Sequence, residues 1–365
     1  MKIAYTHDWL YRFAGAEIVL KAMEEIYRAD IYTLFYTKQC VSALEIDGNM
    51  VHGSFLQSIP SIHKTYKNFL PLYPMAFKSF DLSDYDIIIS SSHSAAKGFK
   101  KQKDQLHICY CHTPMRYIWD MYDNYIKEMP LHKKAPFAAA AKFLRKWDVE
   151  NSKNVDFFMA NSKFVAERIK RIYERDAKVV YPPVDIDRFG VEDKKEDYYL
   201  FVGRLINAYK KVDLVVEAFN RLGKKLIVVG DGDDFEYLKS IANNNIEFKG
   251  WMNSNDVAEI MKKAKALILP SIEDFGIVSI ESQACGTPVI AYNKGGAAET
   301  VLDKKTGILF NSQTAEGIVE AVNEFESMHS VFNVDIIRKN AERFSKERFK
   351  KEFKTFVSAV SGIDL

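Results

Sequence analysis

Short, almost continuously apolar runs recur along this chain in two series, parted by a proline-rich break at Tyr181-Pro-Pro-Val-Asp-Ile-Asp-Arg-Phe-Gly190. The first series holds Lys2–Thr6, Asp86–Ser90, Leu106–Cys111 and Phe157–Ala160. The second holds Tyr199–Val202, Lys225–Val229, Ile246–Phe248, Ala266–Leu269 and Pro288–Ala291. A strand that is apolar at nearly every position is buried on both faces, as in parallel sheets covered by helices. Between the runs, apolar residues return at three- and four-residue spacing. Ile18, Val19, Ala22, Met23 and Ile26 do so within 16–28, and Phe164, Val165, Ile169 and Ile172 within 163–175. Further helices are expected over 212–222, 256–265 and 278–284, and a basic helical tail over 340–360. Strand–helix alternation that stops and restarts predicts two open α/β domains with parallel sheets, joined by a linker at 181–197. Ligands of such folds bind beyond the carboxyl ends of the strands, so the expected site is a cleft lined by the loops that follow strands.

Composition removes several classes. With 365 residues, 47% of them apolar and 27% charged, the chain can bury a core and is neither disordered nor fibrous. No apolar run approaches the roughly 20 residues of a membrane span. The opening MKIAYTHDWLYRF lacks the apolar stretch of a signal peptide, so the expected location is cytoplasmic. Cys40, Cys109, Cys111 and Cys285 do not suggest a disulfide framework, and Cys109-Tyr-Cys111 lacks the spacing of a zinc or redox pair. The net charge of +2 divides unevenly. Residues 1–180 carry 26 Lys and Arg against 20 Asp and Glu, and residues 181–365 carry 25 against 29. Within 97–175, 17 basic residues face 9 acidic ones, and Lys97, Lys100, Lys101, Lys103, Lys133, Lys134, Lys142, Arg145 and Lys146 are interleaved with Phe99, Phe137, Phe143 and Trp147. Such a segment suits an anionic membrane surface, although a solvated charged face reads the same way. Nucleic acid is disfavoured by the acidic second half.

Several loops after strands carry chemistry. Gly203-Arg204-Leu205 ends a strand, with Lys210 and Lys211 close behind. Two cations there can neutralise a diphosphate, or simply face water. Gly230-Asp-Gly232 is a partial dinucleotide fingerprint that fits a tight turn equally well. Glu273-Asp-Phe-Gly276-Ile-Val-Ser-Ile-Glu281 is the sharpest constellation. It places one carboxylate in a loop and another on a helix whose N-terminus can receive an anion. His112 leaves the run 106–111 and is either a cleft residue or a hydrogen-bonded core histidine. Gly15 lies in the first strand–helix loop. The Asp-x-Asp pairs at 84–86, 185–187 and 231–233 are as frequent as chance allows, and no His/carboxylate cluster has ligand spacing, so no metal is expected.

Together, Phe201–Leu205, Gly230–Gly232, Pro270–Glu281, Cys285-Gly-Thr-Pro-Val289, Gly295-Gly296, Glu299-Thr300 and Gly307 resemble the retaining glycosyltransferases of family 4, which have the GT-B fold. In the first half Ala14-Gly-Ala-Glu17, Cys111-His-Thr-Pro114 and Tyr181–Phe189 match, and Tyr110–Tyr117 looks like the mannosyltransferase branch of bacterial O-antigen and capsule assembly. The resemblance implies two Rossmann-like domains: 1–185 on the acceptor side, 186–345 binding the nucleotide-sugar, and a helix in 346–365 packing back on the first. It implies that Arg204 and Lys210 hold the donor diphosphate, with Gly203 beside them. The family's lysine is usually followed by glycine, whereas Lys210 is followed by Lys211 and lies one residue further from Arg204; Lys210 keeps Val212-Asp213 in its usual place, and Lys211 is the other candidate. Glu273 then faces the donor sugar, and Phe275, Gly276, Ile277 and Val278 contact sugar and phosphate. Glu281 binds the ribose, His112 lies beside the transferred sugar, and Gly15 lies near the phosphate.

The expected activity is retaining, metal-independent transfer of a hexose, mannose from GDP-mannose, to a glycan or lipid-linked glycan. No cofactor is expected. The competing expectations are a UDP-sugar donor, a nucleotide-sugar epimerase of the same fold, and a two-lobed sugar-binding protein without catalysis.

Overall fold

The computed structural model describes residues 1–192, 194–328 and 331–362. It divides into two compact units, 1–183 with 349–365 and 184–348.

The first unit is built on a parallel sheet of seven strands: β1 (Ile3–His7), β2 (Asp30–Thr33), β3 (Val51–Gly53), β4 (Ile87–Ser92), β5 (Leu106–Cys111), β6 (Phe157–Ala160) and β7 (Ala177–Val179). The order across the sheet is β3-β2-β1-β4-β5-β6-β7. The chain therefore winds outward from β1 in one direction, returns, and winds outward from β4 in the other. The carboxyl ends of β1 and β4 form the switch point where such sheets bind ligands. The second unit repeats the plan with β8 (Tyr199–Val202), β9 (Leu226–Val229), β10 (Ile246–Gly250), β11 (Ala266–Leu269), β12 (Val289–Tyr292) and β13 (Gly307–Phe310) in the order β10-β9-β8-β11-β12-β13. Its switch point lies between β8 and β11. The fold is thus α/β, with two parallel-sheet Rossmann-like domains.

Helices cover both sheets. In the first unit, α1 (Gly15–Glu24) turns Val19, Leu20 and Met23 inward. The helices α2 (Leu131–Ser152) and α3 (Lys163–Tyr173) follow. Ser162 caps α3 by accepting from the Val165 N–H, and Glu174 ends it in the left-handed region. The inward face of α3 is carried by Val165, Arg168, Ile169 and Tyr173, while Phe164 and Ile172 are only half-buried. In the second unit, α4 (Val212–Leu222) ends at Gly223, φ +64°. It is followed by α5 (Ile277–Ala284) and α6 (Val334–Glu342). The last helix, α7 (Lys346–Ser361), belongs to the first unit's core: Phe349, Phe353 and Val357 are buried with Val19, Met23 and Met159.

Two expectations need correction. The stretch at 181–197 is not an unpacked linker over its first half. Val184, Ile186 and Phe189 are buried, Val184 bridges to Ser345, and Arg338 donates to the Phe189 carbonyl at 2.7 Å. Nor is 97–175 one basic face. Lys97 is buried with its ammonium 2.5 Å from Asp148, which also accepts from Trp119 and Tyr173 at 2.8 Å each. Phe99 and Trp147 belong to the core, and Lys101 pairs with Asp156. A buried cation is stable only with such a partner, and a count of charges along the chain does not see partners.

Candidate active site

In the second unit β9, β8 and β11 are neighbours in the sheet, and the loops that follow them leave its carboxyl end side by side. Gly203 and Arg204 leave β8, with Gly203 half-buried and Arg204 exposed. The guanidinium makes no hydrogen bond or ion pair among the described residues. Gly230 and Gly232 explain themselves by packing. A Cβ on either would fall well inside contact distance of the Gly203 or Leu205 carbonyl, and Leu205 N–H donates to the Asp231 carbonyl at 3.0 Å. This partial fingerprint fixes the Arg204 loop against its neighbour.

Beyond β11 the chain passes Pro270 and Ser271 to Glu273. The carboxylate oxygen Oε1 of Glu273 accepts from the Lys210 ammonium and from the Ser271 hydroxyl, at 2.6 Å each. Both members of the ion pair are only about one-sixth to one-fifth exposed, with side-chain exposures of 19% for Lys210 and 16% for Glu273. The structure thus brings Lys210 to Glu273. Lys211 instead occupies the left-handed N-cap of α4, φ +55°. A glycine there would be free of the Cβ penalty of that conformation.

The Glu273 loop is clamped from behind. Gly296 N–H donates to the Glu273 carbonyl at 2.8 Å, and Gly295 forms a bridge with Glu273. Phe275 is buried, its ring edge-to-face with Phe344 at 5.5 Å. Gly276, at φ +85°, turns the chain into α5. No side chain caps α5, so the N–H groups of its first turn, with Ile277 and Val278, point toward the loop side with the positive end of the helix dipole. Glu281, half-buried one turn further on, has its carboxyl pushed up by burial and pulled back by the Arg188 guanidinium. The arrangement is one cation beside a carboxylate at an open helix end, with a second carboxylate behind. That can bind an anion bearing a polyol on either side. Ser271 and Arg188 were not singled out from sequence; Ser271 could have been, since it lies two residues before Glu273 in the same loop.

In the first unit, Gly15 opens α1, half-buried, directly after β1 and its loop. His112 follows β5 and is nearly buried at 8% exposure. Its ring Nε2 lies 2.8 Å from Ser91 Oγ, and its carbonyl accepts from Asn161 at 2.9 Å. Burial, with His93 and His7 close by, drives its pKa far below the ordinary histidine value, so the ring is neutral. Asp8, just beyond β1, accepts four backbone N–H groups, from His93, Ser94, Ala95 and Ala96. A carboxylate so cradled fixes the loop after β4. Among the described residues no group of three His, Cys, Asp or Glu side chains is arranged to hold a metal ion. None of their helices is long and apolar enough to cross a membrane.

Comparison with known proteins bears on the family and the fold. Residues 185–348 match the model of the glycosyl transferases group 1, and residues 27–188 match that of glycosyltransferase family 4. A glycosyltransferase of Methanocaldococcus jannaschii is 29% identical over 58% of this chain and 58% of its own length. A D-inositol 3-phosphate glycosyltransferase of Mycobacteroides abscessus is 32% identical over 46% of this chain, which spans 44% of that protein. The α-1,3/1,6-mannosyltransferase ALG2 of Kluyveromyces lactis is 23% identical over 96% of this chain and 83% of its own length. The sucrose-phosphate synthase structure from Thermosynechococcus elongatus superposes with a TM-score of 0.74 at 17% identity, covering 99% of this chain and all of that one. Two family models that meet near the boundary between two parallel-sheet units, and together span residues 27–348, decide the matter: the chain belongs to the GT-B glycosyltransferases of family 4 type.

Proposed function

We propose that this chain transfers a hexose, mannose from GDP-mannose, to a hydroxyl of a glycan or lipid-linked glycan, with retention at the anomeric carbon and without a metal ion. The observation that carries the reading is the Lys210–Glu273–Ser271 cluster at the uncapped N-terminus of α5. The C1–O bond to the diphosphate breaks and C1 bonds to the acceptor oxygen. The acceptor's hydroxyl proton passes to the departing phosphate oxygen. Negative charge grows on that phosphate, and Arg204, Lys210 and the N–H groups near Gly276, Ile277 and Val278 stabilise it in place of a divalent cation. Glu273 orients the sugar, Gly203 and Phe275 shape the loops that bear these groups, and Glu281 takes the ribose hydroxyls. Gly15 admits the phosphate, and His112 hydrogen-bonds the sugar. Similarity to ALG2 across nearly the whole chain supports the mannosyl donor.

The test is turnover with excess EDTA. GDP-mannose should be consumed only with acceptor, to give an α-mannoside, and EDTA should leave the rate within twofold. Release of an epimerised or free sugar would favour an epimerase instead, and strict dependence on a divalent ion would contradict the reading.

A lipid-linked acceptor calls for a cytoplasmic protein resting on the membrane's anionic face. On α2 the outward residues Leu131 and Phe143, 85% and 52% exposed, stand among exposed Lys133, Lys142 and Lys146. Apolar anchors among lysines suit a charged interface. The chain is expected to float with vesicles containing phosphatidylglycerol at low salt, and to lose most of that binding when Lys133, Lys142 and Lys146 are all changed to Glu. Equal flotation with neutral vesicles would contradict this.

A further inference from the structure

His112 is not alone at the first unit's switch point. His7 is the last residue of β1, and its Cα partner in the neighbouring strand is Ser91 of β4. In parallel register such partners face the same side of the sheet. Ser91 in turn pairs with Tyr110 of β5, and His112, two residues on, returns to that side. Glu17 is brought over the same side by α1. The four side chains form a chain of contacts: Glu17 Oε1 to His7 Nε2 at 3.4 Å, His7 Nδ1 to Ser91 Oγ at 3.0 Å, and Ser91 Oγ to His112 Nε2 at 2.8 Å. All four are buried. Glu17 is also tied to the glycine loop, because its Oε2 accepts the Ala14 N–H at 3.0 Å.

A serine hydroxyl has one hydrogen, so it can donate to only one of the two imidazoles, and must accept from the other. The direction is set at the far end. A carboxylate oxygen facing an imidazole nitrogen takes its hydrogen, so a neutral His7 carries its proton on Nε2, toward Glu17. The bare Nδ1 of His7 then takes the Ser91 hydrogen, and the Ser91 oxygen takes an N–H from His112. We propose that Glu17, His7 and Ser91 are positioning residues that fix His112 as its Nε2–H tautomer, leaving Nδ1 as a hydrogen-bond acceptor for a sugar hydroxyl. This deepens the proposed function and rests on it for the identity of that hydroxyl. The proton arrangement itself does not. The same wire joins the Gly15 loop to His112, so both elements share one orientation.

His107 is a built-in contrast on the other side of β5. It lies between Ser90 Oγ at 2.8 Å and the Asn154 carbonyl at 3.2 Å. A carbonyl only accepts, so the proton of His107 belongs on Nδ1. The two buried histidines should therefore hold opposite tautomers.

The experiment is long-range 15N–1H NMR on protein with 15N-labelled histidine rings, without substrate. His112 and His107 are assigned by the signals lost in His112→Gln and His107→Gln. His112 is expected as Nε2–H and His107 as Nδ1–H. Ser91→Ala removes one hydroxyl and should shift His112 toward a tautomer mixture, with His107 unchanged. Glu17→Gln should do the same from two links away. In turnover, Ser91→Ala should lower kcat about 10- to 100-fold, with the donor KM within about twofold. An Nδ1–H His112 in the wild type, or a tautomer indifferent to both substitutions, would overturn the inference. Wild-type transfer by His112→Gln would instead sink the role assigned to His112 in the reaction, while the tautomer result would stand.

Discussion

Changing Lys210 to Ala is expected to lower kcat/KM for glycosyl transfer by about 10²–10³-fold, the usual cost of removing a group aimed at developing charge. Two losses act together. The departing phosphate loses a cation, and Glu273, with its side chain 16% exposed, loses the partner 2.6 Å away. Glu273→Ala should cost a similar factor. The double variant should be far better than the product of the two single effects predicts, because each removes part of the same unit. Glu273→Gln, which keeps the shape and can still accept from Ser271, should retain more activity than Glu273→Ala. Steady-state kinetics over the three single variants and the double mutant checks this. Additive effects would mean that the pair does not act together.

Gly296→Ala is expected to be nearly as damaging, although Gly296 contributes no side chain to the site. A Cβ there would overlap the Phe275 carbonyl and Cα, and the Gly296 N–H already holds the Glu273 carbonyl at 2.8 Å. The loop bearing Glu273 and Gly276 would have to move, and displacement by about 1 Å can cost about 100-fold in rate. Gly223→Ala is the control. Gly223 lies in the left-handed region, φ +64°, and nothing stands within 4 Å of its Cβ position. That change should cost about 1–2 kcal/mol of stability in the second unit and leave kcat within twofold. Chemical denaturation read alongside turnover separates the two outcomes. Equal kcat for both variants would show that the clamp on Glu273 is dispensable.

The strands that sequence made legible are those that contain an apolar run, β1, β4, β5, β6, β8, β9, β10, β11 and β12, and all of these but β10 lie in the sheet interiors. β3 and β7 are three-residue edge strands, too short for any period to register, and β2 alternates as Asp30-Ile-Tyr-Thr33 within a polar neighbourhood. β13 begins at Gly307, which packs against the Val289 carbonyl, so a residue that reads as a turn sits inside the sheet. In the second unit, the spacing of Glu273 and Glu281 was readable because one loop and one helix carry both. Their support was not: Gly295 and Gly296 reach Glu273 from more than twenty residues away, and Lys210 from sixty-three. The same holds for His7 and Ser91, which pair with His112 through sheet order. A clue was present, since β1 and β4 are apolar runs that end on His and on three serines. Polar residues closing a buried strand at a switch point are placed for a ligand or for each other.

The most direct measurement is a thermal-shift panel of nucleotide-sugars without metal: GDP-mannose, UDP-glucose, ADP-glucose and dTDP-glucose, each repeated with Lys210→Ala. The account predicts a selective upward shift with GDP-mannose that Lys210→Ala largely removes, since a ligand bound only by the folded chain stabilises it. A shift with another donor alone, or one that Lys210→Ala leaves intact, would contradict it.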